Sequence, residues 1–349
     1  MHVALTADPE LPVPPRLYGG IERIVDLLAG GLSARGHQVT LFAHPDSSTA
    51  GELRSYPGRR SQHLGDTLRN TLHVGRLAVN PPDIVHSFGR LAYLTPLLPL
   101  GIPKIMSYQR DPTLSRVRMA TRLARDGSLM FTGCSEHIAA QIRPLAPSRA
   151  VYNGVPVDRF DLRETVPDDA PLVFLGRIAP VKGTHRAVRV AQETGRRLVI
   201  AGNVPDQPKG RVYFEQEVEP HVDGDQIRYV GPVDDEEKNE LLGRAAAFLM
   251  PIDWEEPFGI VMAEALACGT PVIGTRRGSV PEVVTEGETG FVCDSIDEMA
   301  AAVERIPTLN RTACRRRCEQ HFSARAIVDA YLELYRRHCS GQATSPQDG

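Results

Sequence analysis

Lysine is scarce in this chain of 349 residues. Only four of the 40 basic residues are lysine (Lys104, Lys182, Lys209 and Lys238), an arginine bias that reads as a GC-rich genome and not as a functional signal. A basic excess is missing too. Against 43 acidic residues the formal charge is −3, which lacks the positive surplus that non-specific nucleic-acid binding requires. Nucleic acid is therefore not expected as a partner. The six cysteines (Cys134, Cys268, Cys293, Cys314, Cys318, Cys339) include no CxxC pair, which fits a reducing cytoplasm better than a disulfide framework. The start, MHVALTADPE, has no basic leader, and Asp8 and Pro9 stop its apolar run, so no signal peptide is expected. The apolar run at 91–103 is broken by Pro96, Pro99 and Pro103 and falls short of the roughly 20 residues of a membrane span.

Several catalytic and cofactor motifs are also missing. The first strand–helix junction, PPRLYGGIER, has one glycine pair and no G-x-G-x-x-G, so a dinucleotide fingerprint is excluded. GRIAPVKG has Val181 where a phosphate-binding P-loop has glycine before its lysine. Neither HExxH nor a GxSxG elbow occurs. Asp223 and Asp225 form a D-x-D beside glycine. A metal site and a plain turn both use that pattern, and the turn is the expected reading. No metal and no cofactor are expected.

At about 150 residues per domain the length predicts two domains. With 42% hydrophobic and 24% charged residues the chain can bury ordinary cores, so disorder, collagen and coiled coil are excluded. Short β-rich runs alternate with helical patterns: 3–7, then 21–36, then 38–44, followed by runs at 83–88, 104–109, 129–135 and 149–154. A charged segment with two prolines and no apolar period, 161–171, reads as the linker. The alternation restarts at 171–178, 197–202, 227–233, 247–252, 271–276 and 289–294, with Ser295 a candidate helix cap three residues before Glu298. The expected fold is α/β, two doubly wound Rossmann-like domains facing across a cleft. Ligands of such sheets bind beyond the carboxyl ends of the strands.

The densest chemical signal is PIDWEEPFGIVMAEALACGTPVIGT, 251–275. Glu256 lies in the loop before a helix and Glu264 inside it, so two carboxylates line one end of a sheet at different depths. Paired carboxylates suit paired hydroxyls. Equally, one can complement a helix N-terminus while the other rides a solvated face. Arg177 and Lys182, five residues apart after a buried strand, can meet a diphosphate. Alternatively they are surface cations.

This block, with GRIAPVKG and the YGG loop, resembles the retaining GT-B glycosyltransferases of family 4, and the resemblance extends from the first strand to PEVVTEGETGFV. It implies a retaining, metal-independent enzyme that moves a sugar from a nucleotide-diphosphate sugar to a hydroxyl on a small molecule, glycan or lipid. Residues 1–160 would form the acceptor-side domain and 171–320 the donor domain. A helix at 323–339 would pack back on the first domain, and 340–349 would be a disordered tail. The implied catalytic residues are Glu256, which orients the donor sugar, and His86, at the end of DIVHSF. Glu264 would bind the ribose. Arg177, Lys182 and the helix start at Phe258, Gly259 and Ile260 would hold the diphosphate. Gly231, Pro232 and Val233 match the base-binding segment, and Gly19 and Gly20 a phosphate or acceptor contact, with Ser135 and Asn153 as weaker candidates. Phe88 stands where such chains often carry histidine, and the next strand ends in SYQRDP. Arg118, Arg122 and Arg125, spaced i, i+4, i+7, form either a solvated stripe or a docking surface for an anionic acceptor or a membrane. The prolines 9, 12, 14 and 15 stiffen the loop ahead of Gly19. A GT-B sugar-nucleotide epimerase and a non-catalytic sugar-binding module are the alternatives.

Overall fold

The computed structural model describes residues 1–15 and 19–341. The chain divides into two compact units, one of Met1–Gly154 together with the residues from Ala324 onward, the other of Val155–Ser323. In the first unit the elements run β1 (His2–Thr6), α1 (Gly20–Ala34), β2 (Gln38–Ala43), β3 (Glu52–Ser55), α2 (Leu64–Gly75), β4 (Ile84–Ser87), β5 (Lys104–Tyr108), α3 (Leu114–Leu123), β6 (Leu129–Gly133), α4 (Glu136–Ile142) and β7 (Ser148–Ala150). The second unit follows with β8 (Leu172–Leu175), α5 (Thr184–Thr194), β9 (Leu198–Ala201), α6 (Pro208–Glu217), β10 (Ile227–Gly231), α7 (Asp235–Arg244), β11 (Ala247–Met250), α8 (Ile260–Ala267), β12 (Val272–Thr275), α9 (Val280–Val283), β13 (Gly290–Cys293), α10 (Ile296–Glu304) and α11 (Arg311–His321). The last helix, α12 (Ala324–Cys339), belongs to the first unit and packs on α1.

Among the described residues each unit holds one parallel sheet, ordered β3-β2-β1-β4-β5-β6-β7 in the first and β10-β9-β8-β11-β12-β13 in the second. The order reverses beside the first strand of each sheet, between β1 and β4 and between β8 and β11. Those are the switch points where open α/β sheets bind ligands. Crossovers are right-handed, so steps in opposite directions along a sheet put helices on opposite faces. In the first unit α2, α3 and α4 share one face, where Val74, Val117, Ala120 and Ile142 pack with Phe42 and Phe131. In the second unit α5, α6 and α10 supply Ala187, Tyr213 and Met299 to a core on one face. On the other face, α8 packs against α7 and α11.

Several sequence expectations change. Residues 161–171 are not a linker between the units. Asp161 and Asn239 exchange two hydrogen bonds of 3.0 and 2.9 Å, the Arg163 N–H donates to the Cys268 carbonyl at 3.2 Å, and the Arg163 side chain pairs with Glu240. The charged composition that suggested a solvated connector is instead satisfied within the second unit, and the chain changes units at Gly154–Val155. Strand β3 was not foreseen, because ELRS is a polar strand at a sheet edge. The apolar run at 91–103 begins as a 3₁₀ turn, Leu91–Leu97, with Pro96 inside it. Arg125 lies past the end of α3, where Ala124 is already extended, so the arginine stripe is shorter than its spacing implied. Ser295 does cap α10, accepting the Glu298 N–H at 3.1 Å. Tyr18 of the YGG loop and the tail from residue 342 lie outside the described residues. Among the described residues no helix is long and apolar enough to cross a membrane.

Candidate functional site

The carboxyl edge of the second sheet gathers the acidic loop and the lysine loop at the β8/β11 switch point. Loop 251–259, after β11, is fixed from both sides. On one side the Asp253 N–H donates to the Val181 carbonyl at 2.9 Å, tying it to the loop after β8. On the other, the Ser279 N–H donates to the Glu256 carbonyl at 2.9 Å and the Ser279 hydroxyl to the Phe258 carbonyl at 2.8 Å. Gly278, at φ 52°, lies so close to the Glu256 backbone that a Cβ there would collide with it. Glu256 is consequently buried at 8% exposure, and Lys182 reaches its Oε2 at 2.6 Å. The Lys182 ammonium also sits 4.5 Å from the centre of the Trp254 ring. Arg177, at the start of the same loop, is exposed.

A second pair lies on the adjoining helices. Lys238, in the first turns of α7, meets Glu264 Oε1 at 2.6 Å and Asp235 Oδ1 at 3.0 Å. Both members of the Lys238–Glu264 pair are largely covered, at 14% and 12% side-chain exposure. Burial works against the Lys238 ammonium. The Glu264 carboxylate, with help from Asp235, outweighs it and holds the lysine above its ordinary pKa. α7 itself starts with a capping box, in which Asp234 accepts the Glu236 and Glu237 N–H groups and Glu237 accepts the Asp234 N–H. α8 starts differently: Gly259 is its N-cap and offers no side-chain acceptor to the first N–H groups. Phe258 is buried beneath that start, while Gly259 and Ile260 are half-buried. Gly231 ends β10, and Val233 lies between it and α7.

Lys238 was missed in the sequence because DDEEKNE reads as a solvated acidic helix start. Two of the four lysines thus each clamp one of the two carboxylates singled out there. Buried pairs of this kind bring little net stability once desolvation is counted, so stability alone is a poor reason for having two.

The first unit gives less support. His86 is fully buried; Nδ1 lies 2.5 Å from the Tyr335 hydroxyl and Nε2 lies 2.6 Å from the Ser107 hydroxyl. Burial pushes its pKa down to about 3. The catalytic reading of His86 is therefore corrected: within its own unit it is a neutral histidine with both nitrogens engaged, holding α12 against β4 and β5. Ser135 is likewise occupied as the N-cap of α4, accepting the Ile138 N–H at 3.3 Å, and the Asn153 amide donates to Gln109 at 2.7 Å. Gly19 is the N-cap of α1 and Gly20 its first residue, at the β1/β4 switch point. The proline loop before them is tied down by the Val13 N–H donating to Ser47 at 2.9 Å. Asp223 accepts the Asp225 and Ile227 N–H groups, both at 2.9 Å, as a turn residue does. A cavity of about 410 Å³ in the second unit is lined by His185, Arg186, Asp253, Arg277 and Ser295, among others, and by neither lysine–glutamate pair. Its arginines are already matched, Arg186 to Asp253 at 2.9 Å and Arg277 to Glu255 at 3.3 Å.

Two doubly wound parallel sheets, with charged loops at a switch point, define a two-domain GT-B fold. Residues 160–320 match the family model for glycosyl transferases group 1, and residues 18–159 that for glycosyltransferase family 4. The chain belongs to this glycosyltransferase family and is an enzyme of that class. It is 26% identical to a glycogen synthase of Mycobacterium tuberculosis over 92% of both chains. Among solved structures it resembles AviGT4, a glycosyltransferase involved in avilamycin A biosynthesis (26% identity, 97% and 98% of the two chains, TM-score 0.71). It also shares the fold of HepE from Anabaena, solved with UDP-glucose (17% identity, 96% and 99%, TM-score 0.72).

Proposed function

We propose that this enzyme takes a sugar from a nucleoside-diphosphate sugar and passes it to a hydroxyl acceptor with retention at the anomeric carbon, using no divalent cation. The observation that carries the reading is the pair of lysine-held carboxylates, Lys182–Glu256 and Lys238–Glu264, in the loop and helix that follow β11. As the glycosidic C–O bond breaks, negative charge grows on the departing diphosphate, and cations and N–H donors must meet it. Lys182 and Arg177 supply the cations in this reading, and the open start of α8 supplies the donors. Glu256 accepts hydrogen bonds from the sugar hydroxyls, and Glu264 from the ribose. No side chain is assigned as covalent nucleophile. The acceptor oxygen attacks from the face the leaving group vacates, and a phosphate oxygen of that group takes the acceptor proton.

The HepE complex makes UDP-sugars the first donors to screen. The test is a coupled assay for released nucleoside diphosphate, run with candidate donors and acceptors, with and without chelator, and with the product anomer read by NMR. Release that depends on acceptor, persists in chelator and gives the donor's anomeric configuration supports the reading. Conversion of the donor into an epimeric nucleotide sugar without acceptor would favour an epimerase, loss in chelator would remove the metal-free mechanism, and an inverted product would remove retention.

A further inference from the structure

Eleven large apolar side chains are exposed among the described residues, and seven of them lie on two stretches of the first unit, 64–79 and 114–123. On α2, Leu64, Leu68 and Leu72 recur every fourth residue at 83%, 57% and 62% exposure, a single outward stripe about 12 Å long. Val79, 90% exposed, follows four residues past the helix. On α3, Leu114, Met119 and Leu123 are exposed, and Met119 and Leu123 border a depression of about 260 Å³ with Arg118 and Arg122. The inner sides of both helices are already used: Val74, Val117 and Ala120 are in the core. The outward leucines therefore stabilise nothing within the unit, and clustered exposed apolar surface marks an interaction site.

The charges beside these leucines are mostly positive. Between residues 59 and 76 stand Arg59, Arg60, Arg69 and Arg76, with Asp66 the only carboxylate. Asp66 is buried and spent on Arg60 and Arg69, at 3.4 and 2.7 Å. α3 carries Arg116, Arg118 and Arg122 and no acidic residue. The exposed acids nearby are Asp111 and Asp126, which flank α3 in sequence, and Glu10, which accepts the Ser61 N–H and hydroxyl at 2.8 and 2.7 Å ahead of α2. On the same face Glu136 of α4 is neutralised by Arg143 at 2.5 Å. Two helices on one face of one sheet thus present leucines among arginines that outnumber the carboxylates, with Arg60 and Arg69 sharing the single Asp66 carboxylate. Arginine around an apolar patch repels a second copy of the same face, whereas an anionic lipid surface accepts both features at once.

We propose that the α2–α3 face of the first unit is a docking surface for an anionic membrane, with the leucine stripe entering the headgroup boundary and the arginines meeting lipid phosphates. The inference does not depend on the donor chemistry of the second unit. It is tested by sedimenting the full-length protein with phosphatidylcholine vesicles containing one-third phosphatidylglycerol, and with vesicles of phosphatidylcholine alone, across a salt series. The expected result is binding to the anionic vesicles that weakens with salt and is absent on the neutral ones. Arg118→Glu with Arg122→Glu, and separately Leu68→Gln with Leu72→Gln, should each lower the partition coefficient by roughly tenfold or more. All four residues are exposed, and an unchanged thermal midpoint confirms that each variant is folded. Three results would overturn the proposal: equal binding to neutral vesicles, loss on charge reversal but none on leucine replacement, or light scattering that shows a dimer dissolved by the leucine variant.

Discussion

Glu256 and Glu264 differ in what their replacement should cost. Glu256 is assigned to the sugar, so Glu256→Ala is expected to lower kcat by about a hundredfold or more while leaving nucleoside-diphosphate affinity within a few-fold. Steady-state kinetics and calorimetry check this, and an equal loss in both would remove the assigned role. Glu264 works with Lys238. One carboxylate oxygen is held by the lysine at 2.6 Å, and in the proposed reading the other meets the ribose hydroxyls. Lys238→Ala should weaken nucleoside-diphosphate binding by about tenfold and narrow the preference for the ribonucleotide over its 2′,3′-dideoxy analogue, whereas Lys238→Arg should keep most of that preference. A purely structural lysine would leave the preference intact. Both glutamates were legible because they sit in one strand–loop–helix block, but their lysine partners lie 74 and 26 residues away and nothing local announces them. The misreading of His86 has the same origin. A histidine closing a buried strand looks identical whether it faces a ligand or the hydroxyl of Tyr335, 249 residues further on. Its true setting gives a pH signature. The folded pKa of about 3 lies below the unfolded value near 6.5, so the unfolded chain binds the proton first. Stability contributed by neutral His86 is complete above about pH 6.5 and falls by up to about 1.4 kcal/mol per pH unit toward pH 3. His86→Gln should flatten that acid limb in urea titrations, even if it lowers stability at neutral pH.

Among the elements, the strands were the most legible, since each buried run of the two parallel sheets is a short apolar block with turn residues around it. VALTA and AFLM need no context, whereas ELRS, at an edge, buries too little to stand out. The return of α12 to the first unit is carried by contacts with no sequence signal of their own. Tyr331 and Tyr335 face β4 and β5, and Val328 packs on Gly31 of α1. Gly31 and its neighbour Gly30 therefore make a paired test of helix packing. Alanine is favoured over glycine inside a helix by up to about 1 kcal/mol, and a Cβ at Gly30 meets nothing within 4 Å. Gly30→Ala should stabilise the first unit by about 0.5–1 kcal/mol. At Gly31 the same methyl collides with the β-branched Val328, which has little rotameric freedom to yield. Gly31→Ala should destabilise by about 1–3 kcal/mol, and Val328→Ala in the same chain should recover part of the loss. Equal signs for the two glycines, measured by denaturant midpoints, would mean that α12 does not press on α1 as described.

At the level of the whole molecule, two units with separate cores make a single melting temperature an ambiguous quantity, and that can be used to locate donor binding. Arg177, Lys182, Glu256, Glu264 and the start of α8, which are proposed to meet the donor, all lie between Val155 and Ser323. A nucleoside diphosphate without its sugar should therefore stabilise that unit first. At 100 times its dissociation constant a ligand adds about 2.7 kcal/mol. For a unit of this size that amounts to a rise of roughly 5–11 °C in its transition. The transition of the first unit, marked by its His86-dependent acid limb, should move much less. Hydrogen exchange makes the same prediction residue by residue: added nucleotide should slow exchange in the loops after β8 and β11 and in the first turns of α7 and α8, with smaller changes in α1 and α12. Protection confined to the first unit would leave Lys182 and Lys238 without their assigned ligand, and the two lysine–carboxylate pairs would then be only structural.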